Sequence, residues 1–145
     1  MRIRGVGSTR ARAALVIGLA ALLVAGCGFD VEEPDLFLVT RTGAHGQKLS
    51  LLVNDGGTIS CNGGKPKSLP DPLLLQARDL ATSLNADVSA KLRFPASARS
   101  VYSYTVKVQN GTMSFPDTAA LSRKELSDLE LFVVQAAANP CGLSS

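Results

Sequence analysis

The sequence contains a single histidine, His45, among 145 residues, and it contains no tryptophan. Protein zinc sites take several His or Cys ligands at short spacings. One histidine, three widely separated cysteines and scattered carboxylates offer no such spacing, so we expect no metal site and no other cofactor. A Gly-x-Ser-x-Gly motif, which marks the nucleophile of α/β-hydrolases, is absent as well. We therefore predict that the chain has no catalytic residue set and is not an enzyme.

Long apolar runs are also missing, and the longest uncharged one covers residues 13–24. As a helix this run would extend about 18 Å, whereas the hydrocarbon core of a bilayer is about 30 Å thick. Four arginines and no acidic residue precede it. A basic segment, a short apolar segment and small residues in that order are typical of a secretory signal peptide. No two arginines are adjacent, so a twin-arginine signal is not expected.

The apolar run closes with Val24, Ala25, Gly26 and Cys27. These four residues resemble the lipobox of bacterial lipoproteins, in which small side chains admit a membrane peptidase and the cysteine thiol accepts a diacylglyceryl group. The resemblance implies that residues 1–26 are removed and that acylated Cys27 becomes the first residue. Acyl chains then hold the protein at the membrane, and we expect it at the cell membrane on the extracytoplasmic face. Ordinary cleavage after Gly26 would instead leave a free thiol.

The excess of basic residues lies in this leader. The whole chain has 15 Lys and Arg against 12 Asp and Glu, a formal net charge of +3. Loss of residues 1–26 removes four arginines and no acidic residue, which leaves a formal net charge of −1. Nucleic-acid-binding domains present a basic patch or stripe, so we expect no nucleic-acid partner.

The remaining chain divides into an acidic tether at residues 27–35 and one domain at residues 36–145. Residues 36–42 and 48–53 read as strands, and Asn54, Asp55, Gly56 and Gly57 form a hairpin turn sequence. A three-residue loop over residues 55–57 would pair Val53 with Ile59 and Leu51 with Cys61, which brings apolar residues together.

A second hairpin is expected from the alternation of Tyr102, Tyr104, Val106 and Val108 with polar residues. The pair Asn110-Gly111 favours a type I′ turn. A two-residue loop at that pair places Val108 opposite Met113 and Val106 opposite Phe115.

Two helices are predicted. Asp71 followed by Pro72 suits a helix start, and an apolar stripe follows at residues 73, 77, 80, 81 and 84. Residues 88–94 fit either a strand or an extension of that helix. Ser122 to Glu125 matches a capping box, with Leu121 and Leu126 placed for a hydrophobic staple. The second stripe contains Leu126, Leu129, Val133, Ala136 and Ala137, and Asn139-Pro140 ends the helix.

Together these elements predict an α+β fold, with one antiparallel sheet of about four to six strands, built from two hairpins, packed against two helices. Export to an oxidising compartment favours a disulfide between Cys61 and Cys141. A redox role would require closely spaced cysteines such as Cys-x-x-Cys, which are absent. Asp128 and Glu130 are expected on the solvated face of the second helix.

Residues 36–143 resemble a group of small actinobacterial lipoproteins of unassigned function. The resemblance rests on Leu-Val-Thr-Arg-Thr-Gly in the first strand, Asn-Asp-Gly-Gly followed by Cys-Asn-Gly-Gly, the Tyr-Thr-Val strand with its Asn-Gly turn, and the terminal Cys-Gly-Leu. A fainter similarity, in element order and in Arg41-Thr42-Gly43 followed by the Tyr104 strand, is to emfourin-type protease inhibitors. Those inhibitors lack the lipid anchor and the disulfide, and no site residues carry over from them.

Two functional hypotheses follow. The first is a membrane-anchored, non-catalytic binding or inhibitory module, whose loops at residues 43–47 and 62–70 contact an envelope protein or a small-molecule ligand. The second is a small envelope hydrolase that uses a serine, His45 and an aspartate. In the first hypothesis, His45 is a solvated loop residue.

Overall fold

A computed structural model of the chain describes residues 34–143. The leader, the lipobox residues and most of the tether lie outside the described residues. The described part forms one antiparallel sheet of six strands and two helices, which confirms the predicted α+β class. No helix between residues 34 and 143 is long and apolar enough to cross a bilayer.

The six strands all belong to one sheet. They are β1 (Asp35–Gly43), β2 (Lys48–Asn54), β3 (Thr58–Cys61), β4 (Lys67–Ser68), β5 (Tyr102–Val108) and β6 (Gly111–Pro116). The order across the sheet is β4-β3-β2-β1-β5-β6. The helices are α1 (Asp71–Ser89) and α2 (Lys124–Ala138), and a 3-10 turn (Asp117–Leu121) precedes α2.

The first hairpin has the predicted register. Val53 pairs with Ile59 and Leu51 pairs with Cys61. The turn is fixed locally, because the side chain of Asn54 accepts a hydrogen bond from the backbone N–H of Gly56 (2.8 Å). Gly57 has a φ of +85°, a conformation that favours glycine. The short edge strand β4 had no counterpart in the sequence interpretation.

The predicted register of the second hairpin is wrong by two residues. Val106 pairs with Met113 and Val108 pairs with Gly111, so the loop consists of Gln109 and Asn110. The reason is tertiary, because the backbone N–H of Asn110 donates to Oδ1 of Asn85 on α1 (2.9 Å). The side-chain amide of Asn110 also donates to the hydroxyl of Ser89 (3.0 Å). A shift of two residues preserves which side chains face the core.

Helix α1 starts and ends differently from the sequence interpretation. Its N-cap is Pro70, and Asp71 is its first helical residue. No side chain within residues 34–143 donates or accepts a capping hydrogen bond there. The helix ends at Ser89, so the segment 88–94 is neither a strand nor a full extension of the helix. Lys91, with a φ of +56°, turns the chain, and the ring of Phe94 then packs edge-on against Phe115 at 6.1 Å.

The predicted capping box of α2 does not form. Arg123 is the N-cap residue, and no side chain caps the helix. The hydroxyl of Ser122 instead donates to the carbonyl of Ala119 and closes the preceding 3-10 turn (3.1 Å). Leu121 is 89% exposed, so the hydrophobic staple is absent too.

The core lies between one face of the sheet and the two helices. The predicted stripes of both helices are buried, apart from Leu73, which is partly buried at the first turn of α1. Phe132, which the sequence interpretation omitted, is fully buried and meets Phe37 edge-on at 5.5 Å. The opposite face of the sheet is hydroxyl-rich, as in the contact between Thr105 and Ser114 (3.0 Å). The sheet is therefore covered on one face only by the described elements.

The helices cross the sheet in opposite senses. Near its start, α1 contacts the β2–β3 turn through Arg78 and Asp55 (2.7 Å), and near its end it contacts Asn110. Helix α2 begins beside the last turns of α1, where Arg123 pairs with Asp87 (2.8 Å). Helix α2 ends three residues before Cys141, which is bonded to Cys61 at the end of β3.

The predicted disulfide is present. Cys61 at the end of β3 is bonded to Cys141, which follows α2, with a Cα–Cα distance of 5.9 Å. The side chain of Lys67 donates to the carbonyls of Pro140 (3.3 Å) and Cys141 (3.1 Å) and holds the same segment against β4. The disulfide thus fixes the C-terminal segment to the edge of the sheet.

Removal of this disulfide is expected to destabilise the domain substantially. The two cysteines are 80 residues apart, and closing a loop of that length contributes about 4–5 kcal/mol in the chain-entropy model. Urea denaturation of Cys61→Ser/Cys141→Ser should show that loss, and reduced wild-type protein should match the double variant. Two free thiols in non-reduced exported protein, or a loss below about 1 kcal/mol, would contradict the assignment.

Candidate functional site

A cleft of about 500 Å³ opens at the end of the sheet where β1 ends and β2 begins. It contains parts of both loops that the sequence analysis named, residues 43–47 and Asn62. On the helix side it is bounded by Ala137 and Leu143. The remaining lining residues are Arg41, Lys48, Leu49, Val101 and Tyr102. None of the lining residues within the described part of the chain is acidic.

Arg41 reaches the cleft because strand side chains alternate. Phe37, Val39 and Arg41 share the helix-facing side of β1, and the first two are buried in the core. Arg41 lies where the one side chain that α2 presents to the cleft is the small one of Ala137. A guanidinium therefore occupies the space that an apolar side chain would fill in the core.

Two aromatic residues of β5 hold Arg41 in place. Its guanidinium carbon lies 4.8 Å from the ring centroid of Tyr102, which is a cation–π contact. Arg41 also interacts with the hydroxyl of Tyr104. No carboxylate of residues 34–143 lies within ion-pair distance of Arg41. Its charge is therefore fixed in position without an acidic partner in this part of the chain.

Gly43 leaves space beside β1 for the side-chain amide of Gln47. A Cβ atom at Gly43 would be 2.8 Å from Oε1 of Gln47 and 3.4 Å from Cε1 of Tyr102. The first distance is too short for a real contact, so a larger residue would push the amide of Gln47 away. The absence of a side chain at this position shapes the floor of the cleft.

Asn62 is positioned by its neighbours on β2. Its backbone N–H donates to the carbonyl of Ser50 (2.7 Å), and its Oδ1 accepts from the backbone N–H of Ser50 (2.8 Å). With Oδ1 occupied, the Nδ2 group can donate to another molecule. Asn62 directly follows Cys61, and Leu143 closely follows Cys141, so the disulfide joins two walls of the cleft.

His45 is exposed on the turn between β1 and β2 and lines the cleft. Within residues 34–143 its ring makes no hydrogen bond to a serine or an aspartate. The same part of the chain has no group of three or more His, Cys, Asp or Glu residues that could hold a metal ion.

The expectation of a solvated Glu130 is wrong. The side chain is partly buried, and its Oε1 has no hydrogen-bond partner among residues 34–143. Burial, assisted by the charge of Asp117, raises the pKa of Glu130 to about 7. Asp128 does lie towards solvent and pairs with Lys124 (2.5 Å). Glu130 lies four residues after the buried Leu126 and three before the buried Val133, and that helical spacing was the available signal.

Tyr104 and Asp117 complete this second polar group. Burial raises the pKa of Tyr104 to about 12, with Glu130 adding to the effect and Arg41 opposing it. Burial also acts to raise the pKa of Asp117, but hydrogen bonds from Ser100 and from the backbone N–H groups of Tyr102 and Val101 outweigh it and lower the pKa. The hydroxyl of Tyr104 therefore interacts with Glu130, which raises its pKa, and with Arg41, which lowers it.

A third polar cluster joins the two helices. Arg123 pairs with both Asp87 and Glu125. Burial raises the pKa of the Asp87 carboxyl even though Arg123 opposes the rise. Sequence reasoning missed this cluster, although Asp87 continues the buried stripe of Leu80 and Leu84 and is the polar exception in it. None of the three residues lines the cleft, and their contacts tie α1 to α2.

Comparisons with known proteins identify no relatives. No protein-family model matches the chain, and no curated protein or solved structure matches it significantly.

The partly buried Glu130 should make the domain less stable as the pH rises. Its folded-state pKa of about 7 lies above the ordinary value of 4.5, so the native state binds more protons between those pH values and the free energy of unfolding falls. Glu130→Gln is expected to raise that free energy by about 1–3 kcal/mol at about pH 8 and to leave it nearly unchanged at about pH 4. Urea denaturation across this range measures the difference.

Asp128→Asn is the matched control, because Asp128 lies on the same helix and is more exposed. Its stability should follow the pH dependence of the wild type. Parallel curves for wild type and Glu130→Gln would show that Glu130 ionises normally in the folded protein.

Proposed function

We propose that the chain is an exported lipoprotein, anchored through Cys27, whose domain is a non-catalytic binding or inhibitory module that uses the cleft. The observation that carries this proposal is the arrangement of β1. The chain enters the domain at Asp35, beside the β2–β3 turn, where the carbonyl of Pro34 accepts from Asp55 (2.8 Å). The cleft lies at the other end of the same strand, at Gly43.

The tether and the cleft lie at opposite ends of β1, and this determines how an anchored domain is oriented. Nine residues of antiparallel strand span about 27 Å at roughly 3.4 Å per residue. A tether that ends at Asp35 would hold that end towards the lipid and present the cleft away from it. An envelope protein or a small molecule outside the membrane could then reach the cleft.

The lining of the cleft supports binding. Arg41 is held by aromatic contacts before any ligand arrives, and Asn62 is fixed by two hydrogen bonds. Side chains already fixed in position lose little entropy when a ligand binds, and this favours affinity. The walls belong to β1, β2, β5, the residue after β3, and the end of α2 with the segment that follows it. The sheet and the disulfide hold these parts together.

The position of His45 in the cleft is the observation that favours the alternative, a small envelope hydrolase. A general base must lie within hydrogen-bond reach of the group that it deprotonates. His45 has no such partner among residues 34–143, so the substrate or its attacking water would have to supply that contact.

Anchorage predicts covalent acylation of Cys27. Cells fed a clickable fatty acid should label the wild-type protein, and Cys27→Ala should lose the label because the acceptor thiol is gone. Cys141→Ala serves as the control, since it removes a cysteine and retains the lipobox. Equal labelling of the wild-type and Cys27→Ala proteins would overturn the anchor.

Binding through the cleft predicts site-selective capture. A photo-crosslinking residue at Ala44, which is exposed and lines the cleft, should capture a discrete partner in native envelopes. The same residue at Asp79, exposed on α1, should not. Excess protein without the crosslinker should compete for capture by occupying the partner.

The same bands from both positions, or none from Ala44, would contradict binding at the cleft. If the chain is the hydrolase, the captured partner is cleaved over time by the wild type and is left intact by His45→Ala.

A further inference from the structure

Two lining residues of the cleft, Arg41 and the exposed Lys48, are cationic, and Arg41 is the one that aromatic contacts hold in place. Arg41 has no acidic partner among residues 34–143, and no lining residue in that part of the chain is acidic. An opposite charge within about 4–6 Å stabilises a charged group in a partly buried site. The complement of this site is therefore an anion.

The shape of the site favours a carboxylate. A guanidinium binds carboxylates through two parallel N–H donors in its own plane. The ring of Tyr102 covers one face of Arg41, which leaves the edge of the guanidinium for an incoming planar group. Apolar residues, among them Leu49, Val101 and Leu143, make up much of the remaining lining. This combination fits a single carboxylate attached to an apolar body.

The side-chain amide of Asn62 favours a peptide as the ligand. Nδ2 of Asn62 can donate to a carbonyl because its Oδ1 is already engaged by Ser50 (2.8 Å). Val101 lines the same cleft and is 56% exposed, so an apolar ligand side chain can bury it. A volume of about 500 Å³ accommodates the last two residues of a chain.

We propose that the cleft binds the C-terminal end of a peptide. Arg41 holds the terminal carboxylate, Nδ2 of Asn62 donates to the last peptide carbonyl, and the final apolar side chain packs against Val101 and Leu143. This assignment rests on the proposed function and names the ligand class for the same site.

The test compares a peptide acid with its amide. The full chain, 15N-labelled in detergent micelles, is titrated with acetyl-Ala-Leu and with acetyl-Ala-Leu amide while the side-chain signals of Arg41 and Asn62 are followed by NMR. The acid is expected to bind with a Kd of about 1 mM or lower, and the amide about tenfold more weakly. Arg41→Gln should weaken binding of the acid about tenfold. Arg78→Gln, which removes an arginine of α1 that contacts the β2–β3 turn, should leave it unchanged.

A second pair of variants tests the charge without altering Arg41. Ala44 is exposed at the cleft, so its replacement does not disturb the core. Ala44→Glu should weaken binding of the acid several-fold and leave the amide unaffected, and Ala44→Lys should not weaken the acid. These variants keep the test valid if Arg41→Gln fails to fold.

Equal affinity for acid and amide, or an unchanged affinity in Arg41→Gln, would overturn the proposal. Butyrate or inorganic phosphate competing as well as the peptide acid would also overturn it, because the site would then recognise any organic acid or any anion. If the peptide acid does not bind but photo-capture at Ala44 is retained, only the proposed ligand class is wrong. If neither peptide binding nor photo-capture is observed, the proposed binding function is wrong as well.

Discussion

Strand β1 is paired along both of its edges, with β2 on one side and β5 on the other, and its side chains alternate between the two faces of the sheet. Because Phe37 and Val39 must face the helices to build the core, Arg41 must face them too. A shift of one residue would place Arg41 in solvent but would also expose both core residues. The position of the cation is therefore fixed by the same pairing that forms the core.

An arginine on the core-facing side needs polar surroundings, and β5 provides them. Tyr102 offers the face of its ring, and Tyr104 offers its hydroxyl. Glu130 on α2 also acts on Tyr104, yet it forms no ion pair with Arg41. Burial keeps the carboxyl of Glu130 closer to its neutral form, with a pKa of about 7. An acidic and a basic group thus face one tyrosine without neutralising each other, and Arg41 keeps its charge for the cleft.

Sequence reasoning predicted the register of the hairpin whose turn is closed locally and missed the register that a distant contact sets. The register of the first hairpin followed from a turn that Asn54 and Gly57 close by themselves. The register of the second did not, because Asn85 on α1 binds Asn110 and sets the loop. The capping box failed for a local reason instead, since the hydroxyl of Ser122 closes the 3-10 turn before α2.

The candidate site was only partly accessible to sequence reasoning. Both loops of the cleft were identified, but Arg41 was noted only as part of a motif, although its alternation with Val39 indicated which face it occupies. Its pairing with Tyr102 required the order of strands across the sheet, which no local pattern specifies.

The disulfide connects the stability of the domain to the geometry of the cleft. Cys61 ends the strand that leads to Asn62, and Cys141 begins the segment that leads to Leu143, so one bond holds two walls that are 80 residues apart in sequence. Arg41 and Tyr102 form the remaining wall on paired central strands, where sheet hydrogen bonds already restrict movement. The cleft therefore combines a rigid side that carries the charge with a side whose position depends on one covalent link. Such a bond persists in an oxidising compartment, so the proposed export would maintain the space beside Arg41 that the proposed peptide would occupy.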